Sequence, residues 1–244
     1  MNNKYEEFHS SAIIQKRIIK NNNYTYYDVV RTLKKILSKH KKLKILDYGC
    51  GVGTISLYLA SLGHDVIGLD VSKNAIKMAR ASAKSLKIKN AKFFILNKLD
   101  CNKMKKAFDL VLMIEVIEHV PNDKKVMKEV SNYLKKNGYL ILTTPSIEAP
   151  LYKLGLLKSF DNRVGHIRRY TQLNLIQLIE EAGIKTIKLS THESIMRNFF
   201  YTNSHIGWIL KFIKGPISSL FILLEQPLIR LFGGSNYKLI GIKK

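Results

Sequence analysis

A chain of 244 residues can enclose one sizeable hydrophobic core, and it leaves little room for a second domain. Its two cysteines exclude a disulfide framework or a cysteine-rich zinc site, which favours a reducing, cytoplasmic setting, and residues 1–7 lack the apolar core of a signal peptide. The formal net charge of +23 is compatible with nucleic acid or an anionic membrane surface as a partner. Only 8 of the 41 basic residues are arginines, so the planar, bidentate contacts of a specific nucleic-acid site are not favoured.

The spacing of apolar residues predicts strands that alternate with helices along most of the chain. The predicted helices are 24–40, 54–62, 73–86, 121–136 and 172–182. The predicted strands are 43–47, 65–69, 91–96, 110–114, 139–143, 185–191 and 237–242. This alternation predicts an α/β fold with a doubly wound, mostly parallel seven-stranded sheet. We expect a single domain over 1–244, with an N-terminal helical segment 1–42, a core 43–192, a helical insert 193–236 and a final strand 237–243.

The most informative segment lies between the first predicted strand and the next helix, where Asp47 is followed by Gly49, Gly51 and Gly53. In an open parallel sheet a nucleotide binds at the carboxyl ends of the strands, and glycines let the backbone turn tightly against it. The spacing differs from the G-x-G-x-x-G of dinucleotide sites, because the third glycine comes one place early and Thr54 occupies its position. The pattern resembles motif I of the class I S-adenosylmethionine (SAM) methyltransferases, whose fold is the one predicted above.

This resemblance implies SAM as cofactor and a pocket at the ends of the first three strands. Asp70 ends the second strand, where an acid accepts both ribose hydroxyls. Asp47 either orders the glycine turn or meets the amino-acid end of the cofactor. Asn97 and Asp100 are alternatives for the contact that family members make with the adenine amino group. The full set of expected cofactor residues is Asp47, Gly49, Cys50, Gly51, Gly53, Asp70, Val71, Asn97, Asp100 and Glu115.

A second chemistry-bearing string, Glu115-x-x-Glu118-His119, follows the fourth predicted strand. Two carboxylates and an imidazole suit a divalent metal, and Mg²⁺ favours the oxygens, so Glu115, Glu118 and His119 are the predicted metal ligands. A metal there would lower the pKa of an acceptor hydroxyl, so that its oxygen attacks the methyl group. The alternative is a pocket without metal, in which His119 acts as general base or touches the acceptor.

The same string resembles two methyltransferase branches. One comprises the ubiquinone-biosynthesis O-methyltransferases, in which these positions are linked to a magnesium ion. The other comprises the small-RNA 3′-terminal 2′-O-methyltransferases, which add a later histidine. His166 is the candidate for that histidine, so Glu118, His119 and His166 are the predicted catalytic residues. The neighbouring Arg168 and Arg169 either face the acceptor or pin their loop to acids on the sheet.

Residues 193–236 stand where the plain fold has a short connection between its last two strands. They are strongly apolar, but Lys211, Lys214 and Pro216 interrupt every long run, which argues against a membrane-spanning helix. Three interpretations remain: a lid over the acceptor pocket, a membrane contact with Trp208 and the lysines at the interface, and additional core or a dimer face.

The sequence therefore predicts a SAM-dependent methyltransferase that transfers the methyl group by in-line displacement. We expect an oxygen of a small, hydrophobic or lipid-like molecule as the acceptor, in the cytoplasm or peripherally at the membrane. RNA 2′-O-methylation is the first alternative, although the chain shows no arginine-rich or aromatic stripe. A SAM-binding protein without catalysis, acting as a membrane-associated scaffold, is the second.

Overall fold

A computed structural model of the protein describes residues 6, 13–38, 40–96, 104–202 and 215–244. Its strands are β1 Lys44–Tyr48, β2 Asp65–Asp70, β3 Ala91–Ile95, β4 Phe108–Ile114, β5 Leu134–Pro145, β6 Ile184–His192 and β7 Asn236–Lys243. Its helices are α1 Tyr27–Leu37, α2 Thr54–Ser61, α3 Lys73–Ser85, α4 Asp123–Tyr133, α5 Pro150–Lys153, α6 Lys158–Val164, α7 Gln172–Glu181, α8 Ile195–Thr202 and α9 Gly215–Phe232. A short 3₁₀ helix spans Ile117–His119.

The strands form one seven-stranded sheet in the order β3-β2-β1-β4-β5-β7-β6. The pairs from β3 through β5 are parallel, and β7 runs antiparallel to β5 and β6. This confirms the predicted α/β class and the mostly parallel sheet. Because β7 is reversed, its first residue lies at the edge where the parallel strands end.

The hydrophobic core lies on both faces of this sheet, because strand side chains alternate between the faces. Leu46 of β1 and Val111 of β4 pack on one face with residues of α4 and α7. Ile45 and Leu112, one place away in each strand, pack on the other face with α1 and α2. The sheet is thus covered on both sides, and its carboxyl edge remains for the site.

The predicted junction between the fourth helix and the fifth strand is wrong. We expected a helix through residue 136 and a strand from 139, whereas α4 ends at Tyr133 and β5 begins at Leu134. Leu134 pairs with Phe108 in a short extension of the β4–β5 ladder, and Asn137 adopts a φ of +62° beyond it. Pairing with a neighbouring strand therefore overrides the helical preference of the lysines at 135 and 136.

The insert contains α8, which follows β6, and α9, which precedes β7. Trp208, expected at a membrane interface, lies outside the described residues. Within the described ranges, none of the helices combines the length and apolar character needed to cross a bilayer.

Candidate active site

The glycine turn closes against the end of β2 through backbone hydrogen bonds. The amides of Gly49 and Cys50 both donate to the carbonyl oxygen of Leu69, at 2.7 and 2.8 Å. Gly49 has a φ of +79°, and a Cβ built on it would lie 2.4 Å from a methyl group of Val116. A side chain at this position is therefore excluded by both conformation and space, as the sequence pattern indicates.

Asp70, at the end of β2, stabilises this turn through its carboxylate. Its Oδ2 accepts from the Gly51 amide at 2.8 Å and its Oδ1 accepts from the Ser72 amide at 2.9 Å. Each carboxylate oxygen keeps a further lone pair, so the ribose contact predicted from the sequence is compatible with this geometry. Val71, directly after it, is half-buried.

Asp47 is buried, and the two roles predicted for it both remain predictions. The Ser56 hydroxyl donates to its Oδ2 at 2.6 Å, which ties the end of β1 to α2. Burial raises the pKa of Asp47 to about 6, aided by repulsion from Asp70 and opposed by the Ser56 hydrogen bond. Cys50 is also buried, and burial raises the pKa of its thiol. Asn97 and Asp100 lie outside the described residues.

Glu118 and His119 lie at the carboxyl edge of the sheet because the chain turns sharply after β4. Glu115 adopts a φ of +54°, and the 3₁₀ helix that follows presents both residues. Glu118 is fully buried, and its Oε2 accepts a hydrogen bond from the Thr144 hydroxyl at 3.0 Å. Its Oε1 is buried without a hydrogen-bond partner among the described residues.

His166 joins Glu118 and His119 at this point. The Nε2 atoms of His119 and His166 lie 3.8 and 3.9 Å from Oε1 of Glu118. One ligand atom from each residue lies within 4.8 Å of both others. We call Glu118, His119 and His166 the triad, a carboxylate and two imidazoles around one point.

Both imidazoles are oriented by acceptors behind them. His119 Nδ1 lies 3.0 Å from the carbonyl oxygen of Gly165, and His166 Nδ1 lies 2.8 Å from Oδ1 of Asp161. Because these partners only accept, Nδ1 of each ring donates to them, and Nε2 faces the triad centre. Arg169 holds Asp161 in turn through hydrogen bonds of 2.6 and 2.8 Å. Burial raises the pKa of Asp161, but the hydrogen bonds from His166 and Arg169 outweigh it and the net shift is downward.

The predicted metal set of Glu115, Glu118 and His119 stays a prediction, and it differs from the triad in one member. Glu115 is not part of the triad: its Oε2 accepts from the Asn236 side-chain amide at 3.1 Å, and its Oε1 is buried without a hydrogen-bond partner in the described part of the chain. Burial raises the pKa of Glu115, and the nearby Glu118 carboxylate adds to it. Of the two arginines, Arg169 pins its own loop through Asp161, and Arg168 forms an ion pair with Asp123.

Sequence reasoning missed a buried polar cluster that joins the insert to α1. The Arg197 guanidinium of α8 lies over the rings of Tyr24 and Tyr27, at 4.4 and 5.0 Å from their centroids, and 3.5 Å from a carboxylate oxygen of Glu225 in α9. The Tyr24 hydroxyl donates to the same carboxylate at 2.7 Å. No local sequence signal marks these partners, because they come from three distant segments.

Glu193, which precedes α8, connects this cluster to the carboxyl edge of the sheet. Glu193 lies 3.8 Å from Arg197 and has a φ of +58°. Burial raises its pKa to about 8, Arg197 opposes the shift and Glu115 adds to it. Two glutamates in the left-handed region thus stand at the ends of β4 and β6, where strained conformations often accompany function.

Comparison with known proteins agrees with this geometry. Residues 39–194 match the model of a methyltransferase domain family, and the chain belongs to that family. A ubiquinone biosynthesis O-methyltransferase of Pelagibacter ubique is 35% identical over 143 residues, which cover 59% of this chain and 57% of the relative. One from Glaesserella parasuis is 36% identical over 115 residues, 46% of this chain and 49% of the relative. The chain thus spans about half the length of the curated relatives it matches.

Solved structures support the fold over a larger share of the chain. A SAM-dependent methyltransferase from Methanosarcina mazei matches with a TM-score of 0.59 at 22% identity, covering 85% of this chain and 96% of the other. One from Thermotoga maritima matches with a TM-score of 0.61 at 18% identity, covering 100% and 99%. At these identities the likeness establishes the class I methyltransferase fold alone.

Proposed function

We propose that the protein transfers the methyl group of SAM to an oxygen of a small, hydrophobic or lipid-like acceptor in the cytoplasm. The observation that carries this proposal is the triad of Glu118, His119 and His166, beside the glycine turn at one edge of the sheet. An acceptor hydroxyl must lose its proton as its oxygen attacks the methyl carbon, and the triad supplies groups that accept that proton. The printed names of the curated relatives, which are O-methyltransferases, support the choice of oxygen.

We further propose that the triad binds a divalent cation. The residues fit such an ion, because Glu118 offers a buried oxygen without a hydrogen-bond partner and each imidazole is oriented by an acceptor behind it, as metal-bound histidines are. One carboxylate and two imidazoles suit Mn²⁺, Fe²⁺ or Zn²⁺ better than the Mg²⁺ predicted from the sequence, which prefers all-oxygen sites. The cation would act as a Lewis acid on the acceptor hydroxyl.

The chain's own groups then hold acceptor and cofactor in line and exclude water. Asp161 keeps His166 oriented, Arg169 keeps Asp161 in place, and the glycine turn holds the cofactor. No covalent enzyme intermediate is required, since the methyl group passes directly from sulfur to oxygen.

The test is incubation of the protein with methyl-labelled SAM and with separated lipid, small-molecule and RNA fractions, with and without a chelator. We expect label in the lipid or small-molecule fraction, reduced by chelation and restored by added Mn²⁺ more than by Mg²⁺. Label that is indifferent to chelation would remove the cation from the proposal. Glu118→Gln should abolish labelling, whereas Glu148→Gln, at an exposed acid outside the triad, should not change it.

RNA 2′-O-methylation remains the second candidate, because a specific observation favours it. His166 joins the triad in the structure, as the later histidine of the small-RNA methyltransferases would, and the net charge is +23. Label confined to the RNA fraction, with binding that weakens steeply as salt increases, would replace the proposed acceptor. SAM binding without label in any fraction would favour the scaffold alternative.

A further inference from the structure

Three helical elements meet at the same edge of the sheet as the triad. The α5 helix follows β5, α8 follows β6, and α9 leads into the antiparallel β7, so each joins the sheet where the parallel strands end. The α8 helix contacts both α5 and α9. Whatever covers these helices therefore lies at the same edge of the sheet as the triad.

The outer surface of these elements is apolar. Six of its large apolar side chains expose between 50% and 75% of their surface: Leu154, Leu156, Phe199, Leu220, Leu223 and Leu231. We call these six residues the docking face. Soluble monomers rarely leave such a group of large apolar side chains uncovered, and faces of this kind mark interaction sites.

The α9 helix is inverted relative to an ordinary surface helix. Its Ser218 and Glu225 are fully buried, seven residues apart and hence on one side of the helix. Ser218 donates to the carbonyl oxygen of Asn22, and Glu225 accepts from Ser194 and Tyr24. Leu220 and Leu231 fall on the opposite side, towards solvent. The polar anchors fix this orientation, so the exposed leucines belong to the folded state.

The charges around the docking face favour an anionic partner. Asp161 and Glu225 are the acids of α5, α6, α8 and α9, and both are turned inward to His166, Arg169 and Arg197. The exposed charged side chains of these helices are basic, among them Lys158 and Arg230, and the exposed Glu148 directly before α5 is paired with Lys153. A second copy of this face would bring like charges together, whereas lipid phosphates complement them.

We propose that the docking face binds the surface of an anionic lipid bilayer. The leucines enter the boundary between headgroups and acyl chains while the basic residues meet the phosphates. Contact is peripheral, in keeping with the absence of a spanning helix in the part of the chain that the structure covers. Binding to the bilayer does not depend on the proposed function. Only its purpose rests on that function: membrane contact would place the acceptor site where a lipid-like molecule can enter from the bilayer.

The experiment is co-sedimentation of the protein, without SAM, with vesicles of phosphatidylglycerol and phosphatidylcholine and with vesicles of phosphatidylcholine alone. The apolar variant is Leu220→Ser/Leu223→Ser/Leu231→Ser, and its matched control is Leu173→Ser/Ile187→Ser, at exposed apolar residues of α7 and β6. We expect the wild-type protein and the control to bind the anionic vesicles equally, and the apolar variant to bind about tenfold or more weakly, because each serine removes apolar area from the contact.

A second pair of variants tests the charge. Lys158→Glu/Arg230→Glu should weaken binding about tenfold or more, since each basic residue near an anionic surface contributes roughly fivefold in affinity. Lys77→Glu/Lys84→Glu, on the exposed side of α3, makes the same change in net charge away from the face and should reduce binding far less. Equal losses from both pairs would show attraction by diffuse charge and overturn the inference.

Two other outcomes would overturn the inference. In the first, the apolar variant binds the anionic vesicles as well as wild type does. In the second, the wild-type protein binds no vesicles and forms a dimer, and the apolar variant is a monomer. SAM binding should be unchanged in all four variants, which shows that they fold. Failure of vesicle binding with label transfer intact would refute the docking face alone, and vesicle binding without label transfer would refute the proposed function alone.

Discussion

The Nε2 atom of His166 lies 3.9 Å from Oε1 of Glu118, although the two residues come from loops after different strands. Glu118 follows β4, and His166 stands in the segment between α6 and α7. The contact is held from the His166 side by Asp161 and from the Glu118 side by Thr144. The site is thus assembled by the fold and fixed by hydrogen bonds behind each of the two side chains.

His166→Ala should therefore reduce methyl transfer without affecting the cofactor. It removes one of the two imidazoles of the triad, and we expect a loss of about 100-fold or more in kcat. The SAM dissociation constant should stay within about twofold of wild type, because the glycine turn is untouched. His40→Ala, at an exposed histidine before β1, is the control and should retain full activity. Wild-type turnover by the His166 variant would exclude the triad as the reacting site.

Asp161→Asn tests a positioning residue. The substitution keeps the size of the side chain but weakens the hold on His166 Nδ1 and removes the charge paired with Arg169. We expect the affinity for Mn²⁺, measured by titration calorimetry, to fall about 10- to 100-fold, as it does when such supporting carboxylates are removed. Activity should recover in part at high Mn²⁺ concentration. The same substitution at Asp65, which pairs with Lys42 at the surface, should change neither quantity.

The sequence predicted the parts of the site that are local and missed those that are not. The glycine turn and the Glu118–His119 pair each lie within a few residues of a strand end, so strand and turn patterns suffice to place them. His166 was foreseen through a family resemblance, but Asp161 behind it was not, because an aspartate on a short helix has no distinctive pattern. Arg197 and Glu225 carry no distinctive sequence pattern, and only the packing of α8 and α9 against α1 and the residues before it makes them partners.

Asp70→Asn should weaken SAM binding at the ribose end. The amide cannot accept from Gly51 and Ser72 and still accept fully from two hydroxyls, and each lost charge-assisted hydrogen bond costs roughly 1.5–3 kcal/mol. We expect the SAM dissociation constant to rise about 10- to 100-fold, with adenine alone bound as well as by wild type. An unchanged SAM affinity would place the ribose elsewhere.

Arg197→Met should destabilise the fold strongly. Methionine fills much of the space between Tyr24 and Tyr27, but Glu225 is left buried without its cation, and breaking a buried pair in this way costs about 3–5 kcal/mol. The free energy of unfolding in urea measures the loss. Arg197→Met/Glu225→Gln should recover part of it, because the uncompensated carboxylate is then absent. Arg163→Met, at an exposed arginine, should change stability by less than about 1 kcal/mol.

His192 should make stability fall as the solution is acidified. Burial lowers the pKa of His192 from its ordinary 6.5 to about 3, Lys238 and Arg197 add to the shift, and Asp28 opposes it. Below pH 6.5 the unfolded chain therefore binds a proton at His192 that the folded chain does not bind. This group alone lowers the free energy of unfolding by about 1.4 kcal/mol per pH unit down to about pH 3. Above pH 6.5 both states are neutral and the contribution vanishes.

The measurement is urea unfolding of wild type and His192→Gln between pH 7.5 and 5. The free energy of unfolding of the variant should fall less over this range than that of wild type, because glutamine does not titrate. Below pH 6.5 the two slopes should differ by about 1.4 kcal/mol per pH unit, which is the contribution of one proton. Asp28, whose pKa is raised by burial but lowered overall by His192 and Lys238, titrates below this range in the wild-type protein. His40→Gln, at an exposed site, should keep the wild-type slope. Parallel pH profiles for wild type and His192→Gln would show that the folded protein admits a proton at His192.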